Sequence, residues 1–204
     1  MFNADDLRGA FRAIAKTMAD QRAYLIELDQ RNGDGDLGIS MADGYAASSA
    51  ALDKSAEKDL GKLCVCAGKA FNEAAPSSLG TIMSLCLMGM ARALKGHEEA
   101  DIRLLSEALM AGTEKVMEKA KSKPGEKTIL DSVVPAAEAM RDNADKGCKA
   151  ALEAAAKAAA EGAEATANMM AVHGRAAYFG EKSIGLVDGG AVVGKLIFET
   201  LAEV

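Results

Sequence analysis

The chain has 204 residues, half of them apolar and only 4% aromatic, with no tryptophan and a formal net charge of −6. The acidic balance, with a pI near 5.1, excludes an extended basic footprint for nucleic acid. A core drawn from Ala, Leu, Met and Val, with only three prolines, suits close-packed helices in one domain spanning residues 1–204.

Helical spacing runs from Asp6 to about Leu28 through Leu7, Phe11, Ile14, Met18 and Leu25. The stretch Leu28-Asp29-Gln30-Arg31-Asn32-Gly33-Asp34-Gly35-Asp36-Leu37-Gly38 interrupts it. Asp29, Asp34 and Asp36 share this short loop with three glycines. Two unit charges ~4 Å apart repel by roughly 4 kcal/mol at an effective dielectric near ~20, so a loop crowding three of them needs a cation. The glycines permit positive φ and let the carboxylates fold inward. Oxygen ligands without His or Cys favour magnesium or calcium over zinc. One alternative is a solvated acidic turn, because Asn-Gly and Asp-Gly are common turn dipeptides. Another is an EF-hand counted from Asn32, with oxygens at positions one, three, five and nine (Asn32, Asp34, Asp36, Ser40). In that count Leu37 stands at the glycine position and Asp43 at the place of the bidentate Glu.

Ser40 or Met41 opens a second helix to about Leu52, and Asp59 is placed to cap a third containing Leu60, Leu63 and Ala67. After a break at Ala74–Ser78, the run Leu79 to Leu94 is apolar on most faces and predicts a central, buried helix. Asp101 starts the next, stepping through Ile102, Leu105, Leu109, Gly112 and Val116. Lys121–Lys127 is a charged connector; Asp131 is placed to cap the helix after it, with Pro135 in the first turn. Asp145 is placed to cap an Ala-rich helix from Lys149 to about Met170. Periodicity lapses over His173–Gly190, and a loop that long inside a compact domain is usually functional. A last helix covers about Ala191 to Ala202, giving an all-α bundle of seven or eight helices.

No apolar stretch reaches bilayer length, and the N-terminus lacks a basic-then-apolar signal pattern. Cys64, Cys66, Cys86 and Cys148 lie in helical segments, Cys64 and Cys66 on different faces, which predicts buried free thiols in a reducing compartment. A soluble, cytoplasmic protein that engages neither membrane nor nucleic acid is the expectation.

In an up-and-down bundle alternate connections emerge at one end. If Asp29–Ser40, Ala74–Thr81, Lys121–Asp131 and His173–Gly190 share that end, an acidic metal site meets a hydroxyl-rich helix start and a glycine-rich loop. Together these describe a polyphosphate site. Ser77 or Ser78 acting as a plain N-cap is the alternative for the helix start. Arg175 either clamps a phosphate or pairs with an acid. His97 and His173 have no acidic or thiol partner in sequence and receive no role.

Three separated motifs carry a family resemblance. They are Leu28-Asp29…Gly33-Asp34-Gly35-Asp36…Gly38, then Pro124-Gly125-Glu126-Lys127-Thr128…Asp131, then Gly174-Arg175-Ala176-Ala177-Tyr178…Gly180-Glu181-Lys182-Ser183-Ile184-Gly185…Asp188. In these the chain resembles, over essentially its whole length, the nucleotide-binding (ADP-binding, L) subunits of bacterial dihydroxyacetone kinases. The resemblance implies an eight-helix antiparallel barrel with the nucleotide at one end. It implies that Asp29, Asp34 and Asp36 hold two magnesium ions bridging the phosphates of ADP or ATP. Leu37, Gly38 and Ser40, with Ala74, Ala75, Ser77, Ser78 and Thr81, would then approach the phosphates. Ala120, Ile129, Arg175, Asp188, Gly189 and Gly190 would surround the nucleotide. No catalytic side chain is implied, because the acceptor ketose belongs to a separate K subunit. In phosphotransferase-system versions an M subunit rephosphorylates bound ADP; in others ATP exchanges. A homodimer is compatible with the resemblance.

The chain departs from that family at named places. The family usually carries His or Thr at Leu37, Asn at Ser40 and often Pro at Gly189. Its Gly-Gly-x-Ser-Gly phosphate loop reads Glu73-Ala74-Ala75-Pro76-Ser77 here. A fatty-acid-kinase-type nucleotide domain shares the aspartate loop, and a nucleotide-loaded regulatory module is the non-enzymatic alternative.

Overall fold

A computed structural model describes residues 1–31 and 33–204. Its α-helices are α1 (Ala4–Asp20), α2 (Arg22–Gln30), α3 (Leu37–Lys54), α4 (Leu60–Ala74), α5 (Ser78–Ala93), α6 (Ile102–Ala120), α7 (Leu130–Asp142), α8 (Cys148–Ala165) and α9 (Gly189–Glu203). Short 3₁₀ turns occupy Ala144–Lys146, Thr166–Asn168 and Arg175–Ser183. A two-residue antiparallel tie pairs Phe2 with Ala100 and Asn3 with Glu99.

Each of α1, α3, α4, α5, α6, α7, α8 and α9 packs on the next, and α9 returns to α1 to close a ring. Thr17 and Thr200 mark the closure, their hydroxyls 2.8 Å apart. The expected eight-helix barrel is therefore present. The additional helix, α2, continues α1 past a bend at Gln21 (φ −92°, ψ 3°) and lies against α3. Adjacent ring helices run antiparallel: Gly44 and Ser48 of α3 meet Phe71 and Ala67 of α4 in reverse order. Small residues set the spacing. A Cβ on Gly89 of α5 would lie 2.6 Å from the Ala111 carbonyl of α6, so those two backbones touch. Inside the ring, side chains such as Phe11, Tyr45, Leu87, Leu105, Val133 and Phe198 line an apolar cavity of about 840 Å³.

Asp59 caps α4 as the sequence predicts, its carboxylate accepting from Lys62 N (3.0 Å), and Asp101, where the sequence starts the next helix, caps α6 through Leu104 N (2.8 Å). Elsewhere tertiary packing moves the boundaries. α3 begins at Leu37, ahead of Ser40, because Leu37 and Gly38 are buried where the chain enters the ring. α5 is a wall of the ring and not a central helix; its apolar faces meet α4, α6 and the cavity. Pro135 falls in the interior of α7, past the first turn. It leaves the Asp131 carbonyl without a helical donor, and Gly162 of α8 passes so close to that carbonyl that any Cβ would collide. Gly147 (φ 94°) precedes α8, whose cap is not Asp145; that side chain pairs with Arg103 at 2.7 Å. All four thiols are free, but Cys64 alone is buried; Cys66 and Cys86 are half-buried and Cys148 is exposed. No helix among the described residues is long and apolar enough to cross a membrane.

Candidate functional site

The antiparallel ring places the starts of α3, α5, α7 and α9, and the ends of α2, α4, α6 and α8, at one end of the barrel. The irregular segments emerge there together, and four helix N-termini bring their unpaired N–H groups and positive dipole ends with them.

Asp29 sits at the close of α2, and Asp34 and Asp36 lie just before α3. One carboxylate oxygen from each falls within 4.8 Å of the others. Backbone donors draw the loop around Asp29: Gly33 N reaches its carbonyl at 2.6 Å and Gly35 N its carboxylate at 2.7 Å. Gly35 adopts φ +79°, and any Cβ on Gly33 would strike the Asp29 carboxylate, so both positions need glycine. Burial, then the charges of Asp34 and Asp29, push the Asp36 carboxyl above its ordinary value. Arg175 opposes that rise and pairs directly with Asp34 at 2.7 Å. Asn32, the first position of the EF-hand count, lies outside the described residues. Positions six to twelve of that count are already helix, since α3 starts at Leu37, so the loop is not an EF-hand.

A second group of predicted residues meets beside the aspartates. Leu37 is buried, and a Cβ on Gly189 would lie 2.6 Å from its Cδ2. Gly38 passes against the Arg22 carbonyl at the head of α2. A Cβ on Gly190 would lie 3.3 Å from Ile129 N, which joins the α7 and α9 starts. Asp188 caps α9 through Ala191 N at 2.7 Å. Burial, reinforced by Asp131 and opposed by the Ala191 N–H and Lys127, pushes its carboxyl up to about 6. Ser40 is buried in the first turn of α3, its N–H donating to the Asp36 carbonyl at 2.9 Å. Ala120 closes α6, followed by Lys121 at φ 54°.

The α4–α5 turn reaches the same end by topology alone. Ala74 ends α4, Ala75 is buried, and Ser78 opens α5. Ser77 Oγ accepts from Gly80 N at 3.1 Å, and Thr81 Oγ1 donates to the Ser77 carbonyl at 3.0 Å. The N-capping alternative therefore holds at Ser77, and both hydroxyls serve the helix start.

Sequence reasoning missed the interior of the 121–129 connector. Lys127 is buried at φ 60°, its ammonium on three backbone carbonyls. Asp131 accepts from Gly125 N (2.5 Å) and Thr128 N (2.7 Å), and so caps the turn ahead of its own helix. His173, without a partner in sequence, lies 2.6 Å from Glu126 across the loops. Nothing in side-chain periodicity signals these contacts; only the motif containing Lys127 marked the segment.

A closed up-and-down barrel of helices, with an acidic loop set among helix N-termini at one end, is the class of domain these elements define. Residues 31–203 match the DAK2 domain, and the chain belongs to that family. It is 31% identical over 181 residues to the ADP-binding subunit DhaL of the PEP-dependent dihydroxyacetone kinase of Escherichia coli, covering 88% of this chain and 86% of that one. An L-erythrulose 1-kinase of Mycolicibacterium smegmatis is 29% identical over 202 residues, 98% of this chain but 35% of that protein. The crystal structure of the dihydroxyacetone kinase from C. freundii in complex with AMP-PNP and Mg2+ superposes with a TM-score of 0.77 at 25% identity, over 96% of this chain and 33% of that one. The chain thus spans about a third of the length of those two kinases.

Proposed function

We propose that the chain is the nucleotide- and magnesium-binding part of a short-chain ketose kinase, a phosphotransferase that works as one subunit of a complex. The observation that carries this is the cluster of Asp29, Asp34 and Asp36, with oxygens within 4.8 Å and Arg175 laid on Asp34. The donor set fits magnesium: carboxylates alone, on a loop where burial and then the neighbouring charges raise Asp36, with no nitrogen or sulfur ligand among them. When bound, magnesium neutralises charge on the transferred phosphoryl group. The E. coli relative's description as an ADP-binding subunit and the Mg2+–AMP-PNP complex of the C. freundii kinase support the same ligands.

In this proposal the three aspartates hold two ions. The α3 start at Gly38 and the α5 start at Ser78 offer N–H groups to the phosphates, and Ala74, Ala75, Ser77 and Thr81, whose N–H groups are held within the α4–α5 turn, shape the approach. Arg175 takes a phosphate oxygen beside Asp34, and Leu37, Ser40, Ala120, Ile129, Asp188, Gly189 and Gly190 wall the pocket. Among the described residues this proposal assigns no side chain as a base toward a ketose, and acceptor activation falls to a K subunit that covers this end. Exposed apolar side chains on the segment carrying Arg175, namely Met170, Val172, Tyr178, Phe179 and Ile184, support such a cover. The relative's dependence on PEP favours a phosphoprotein donor, an M subunit rephosphorylating bound ADP in the cytoplasm.

Calorimetry of ADP with and without magnesium tests the proposal. Wild type binds ADP in a magnesium-dependent way, and Asp34→Ala abolishes that dependence while circular dichroism stays unchanged. An unaltered ADP affinity in Asp34→Ala would sink the assignment. A second reading, a nucleotide-loaded regulatory module, draws on the α4–α5 turn, where Ala75 and Pro76 replace a glycine-rich loop. Turnover with a ketose-binding K subunit removes it.

A further inference from the structure

Lys127 ties both ends of the glycine-rich segment to one point. Its side chain is 2% exposed. The ammonium donates to the carbonyl of Met169 (3.1 Å), where the segment leaves the turn after α8. It donates also to Ser183 (2.6 Å) and Leu186 (2.5 Å), where the segment returns toward α9. An ammonium has three donors, and all are matched. Glu126 adds to the clasp through its carbonyl, on Val172 N at 3.4 Å, and its carboxylate, on His173 at 2.6 Å. Within the segment, Ser183 Oγ accepts from Ala171 N (2.9 Å) and donates to the Gly180 carbonyl (2.6 Å).

Burying an ammonium and placing a non-glycine residue at φ 60° are both unfavourable. A methionine would fill the same volume without either desolvating a charge or needing acceptors. Gly185 N on the Ala167 carbonyl (2.7 Å) and Ala171 N on Ser183 Oγ (2.9 Å) already join the two ends. The ammonium adds a buried three-point link between Met169 and Ser183–Leu186 that tightens residues 170–182 into a loop with Arg175 inside it. A closed loop restricts where Arg175 can go, so its guanidinium spends its time over Asp34.

We infer that Lys127 is a positioning residue: by clamping both ends of segment 169–186 it holds Arg175 on Asp34, and so governs a metal–nucleotide site it does not touch. This rests on the nucleotide-binding proposal above. Asp188 supports the ammonium's charge against the burial that pushes its pKa down.

A double-mutant cycle with Lys127→Met and Arg175→Ala tests it, read by hydrogen exchange of the ligand-free protein and by calorimetry of ADP with magnesium. Lys127→Met is expected to speed amide exchange in residues 170–182 by about tenfold or more while α3 to α7 exchange as before. It weakens ADP binding about tenfold, as Arg175→Ala does, and the double variant is within about twofold of either single one. Unchanged exchange in 170–182, or losses that add in the double variant, overturn the inference. Should Lys127→Met unfold the barrel, Ser183→Ala replaces it, loosening the same segment while sparing the connector; coupling to Arg175→Ala supports the clamp and additivity overturns it. Wild type without affinity for ADP would refute the nucleotide proposal, and the exchange arm would still decide whether Lys127 orders the loop.

Discussion

Asp36→Asn should make the metal-free protein more stable and leave it indifferent to magnesium. The three carboxylates offer oxygens within 4.8 Å of one another, a spacing at which two unit charges repel by roughly 3.5 kcal/mol at an effective dielectric near ~20. Asp34 and Asp36 are exposed, and solvent and salt reduce this to about 1 kcal/mol. Asn keeps the shape, and no helix cap is lost, because Asp36 makes no side-chain cap on α3. A gain of about 1 kcal/mol raises the melting temperature of a chain this size by roughly 2–4 °C. The sign follows from the carboxyl being held above its ordinary 3.8: the contribution of Asp36 to wild-type stability falls as pH rises through that window, and the variant's advantage opens there. Differential scanning calorimetry at neutral pH, in chelator and in excess magnesium, makes the comparison. Wild type should melt higher with magnesium, whereas Asp36→Asn should melt higher than wild type in chelator and gain little from the ion. A lower melting temperature in chelator, or a full magnesium response in the variant, refutes the reasoning.

Asp188→Asn keeps the α9 cap but removes a carboxyl whose value rises from 3.8 to about 6 on folding. That rise is a penalty of at most about 3 kcal/mol, absent below about pH 4 and complete above about pH 6; loss of the charge beside Lys127 offsets part of it. The variant's melting temperature relative to wild type should therefore climb between pH 4 and 6, and a flat difference would contradict the raised carboxyl of the half-buried Asp188. Gly189→Pro suits the first position of α9, yet a Cβ there would lie 2.6 Å from Leu37 Cδ2. Alone it should cost about 1–3 kcal/mol in urea denaturation, with Leu37→Thr restoring most of that; additive losses in the pair would show that the two positions do not interact.

The parts of this fold legible in the sequence are those decided within a turn or two of chain. Asp59 and Asp101 accept from the N–H three residues on, which needs no knowledge of the rest of the molecule. The apolar steps of α1 and α6 likewise announce one buried face. What escaped is what a distant partner decides. Leu79 to Leu94 suggested a central helix because apolarity on every side cannot distinguish a protein core from a cavity wall flanked by two neighbours. Pro135 sits deep in α7 because Gly162, twenty-seven residues later, meets the carbonyl it leaves free. Lys127 was hidden for the same reason: its acceptors are backbone carbonyls, which every residue carries and no side-chain pattern reveals.

The departures from the family pattern divide along these lines. Leu37 and Gly189, read separately, each looked like a loss at the nucleotide end. In the structure they touch: the larger side chain at 37 occupies the space that a proline ring at 189 would need. They are one repacked pair, set beneath the aspartate loop, and they leave the approach of Asp29, Asp34 and Asp36 intact. The α4–α5 turn has no such partner. Ala75 is buried, Gly80 is pressed on the Ala75 carbonyl, and the Ser77 and Thr81 hydroxyls are spent on the start of α5. Replacing glycines there removes backbone freedom without a visible compensation. Under the proposed nucleotide role, any difference in how this chain handles phosphates is therefore to be sought at residues 74–81, not at Leu37.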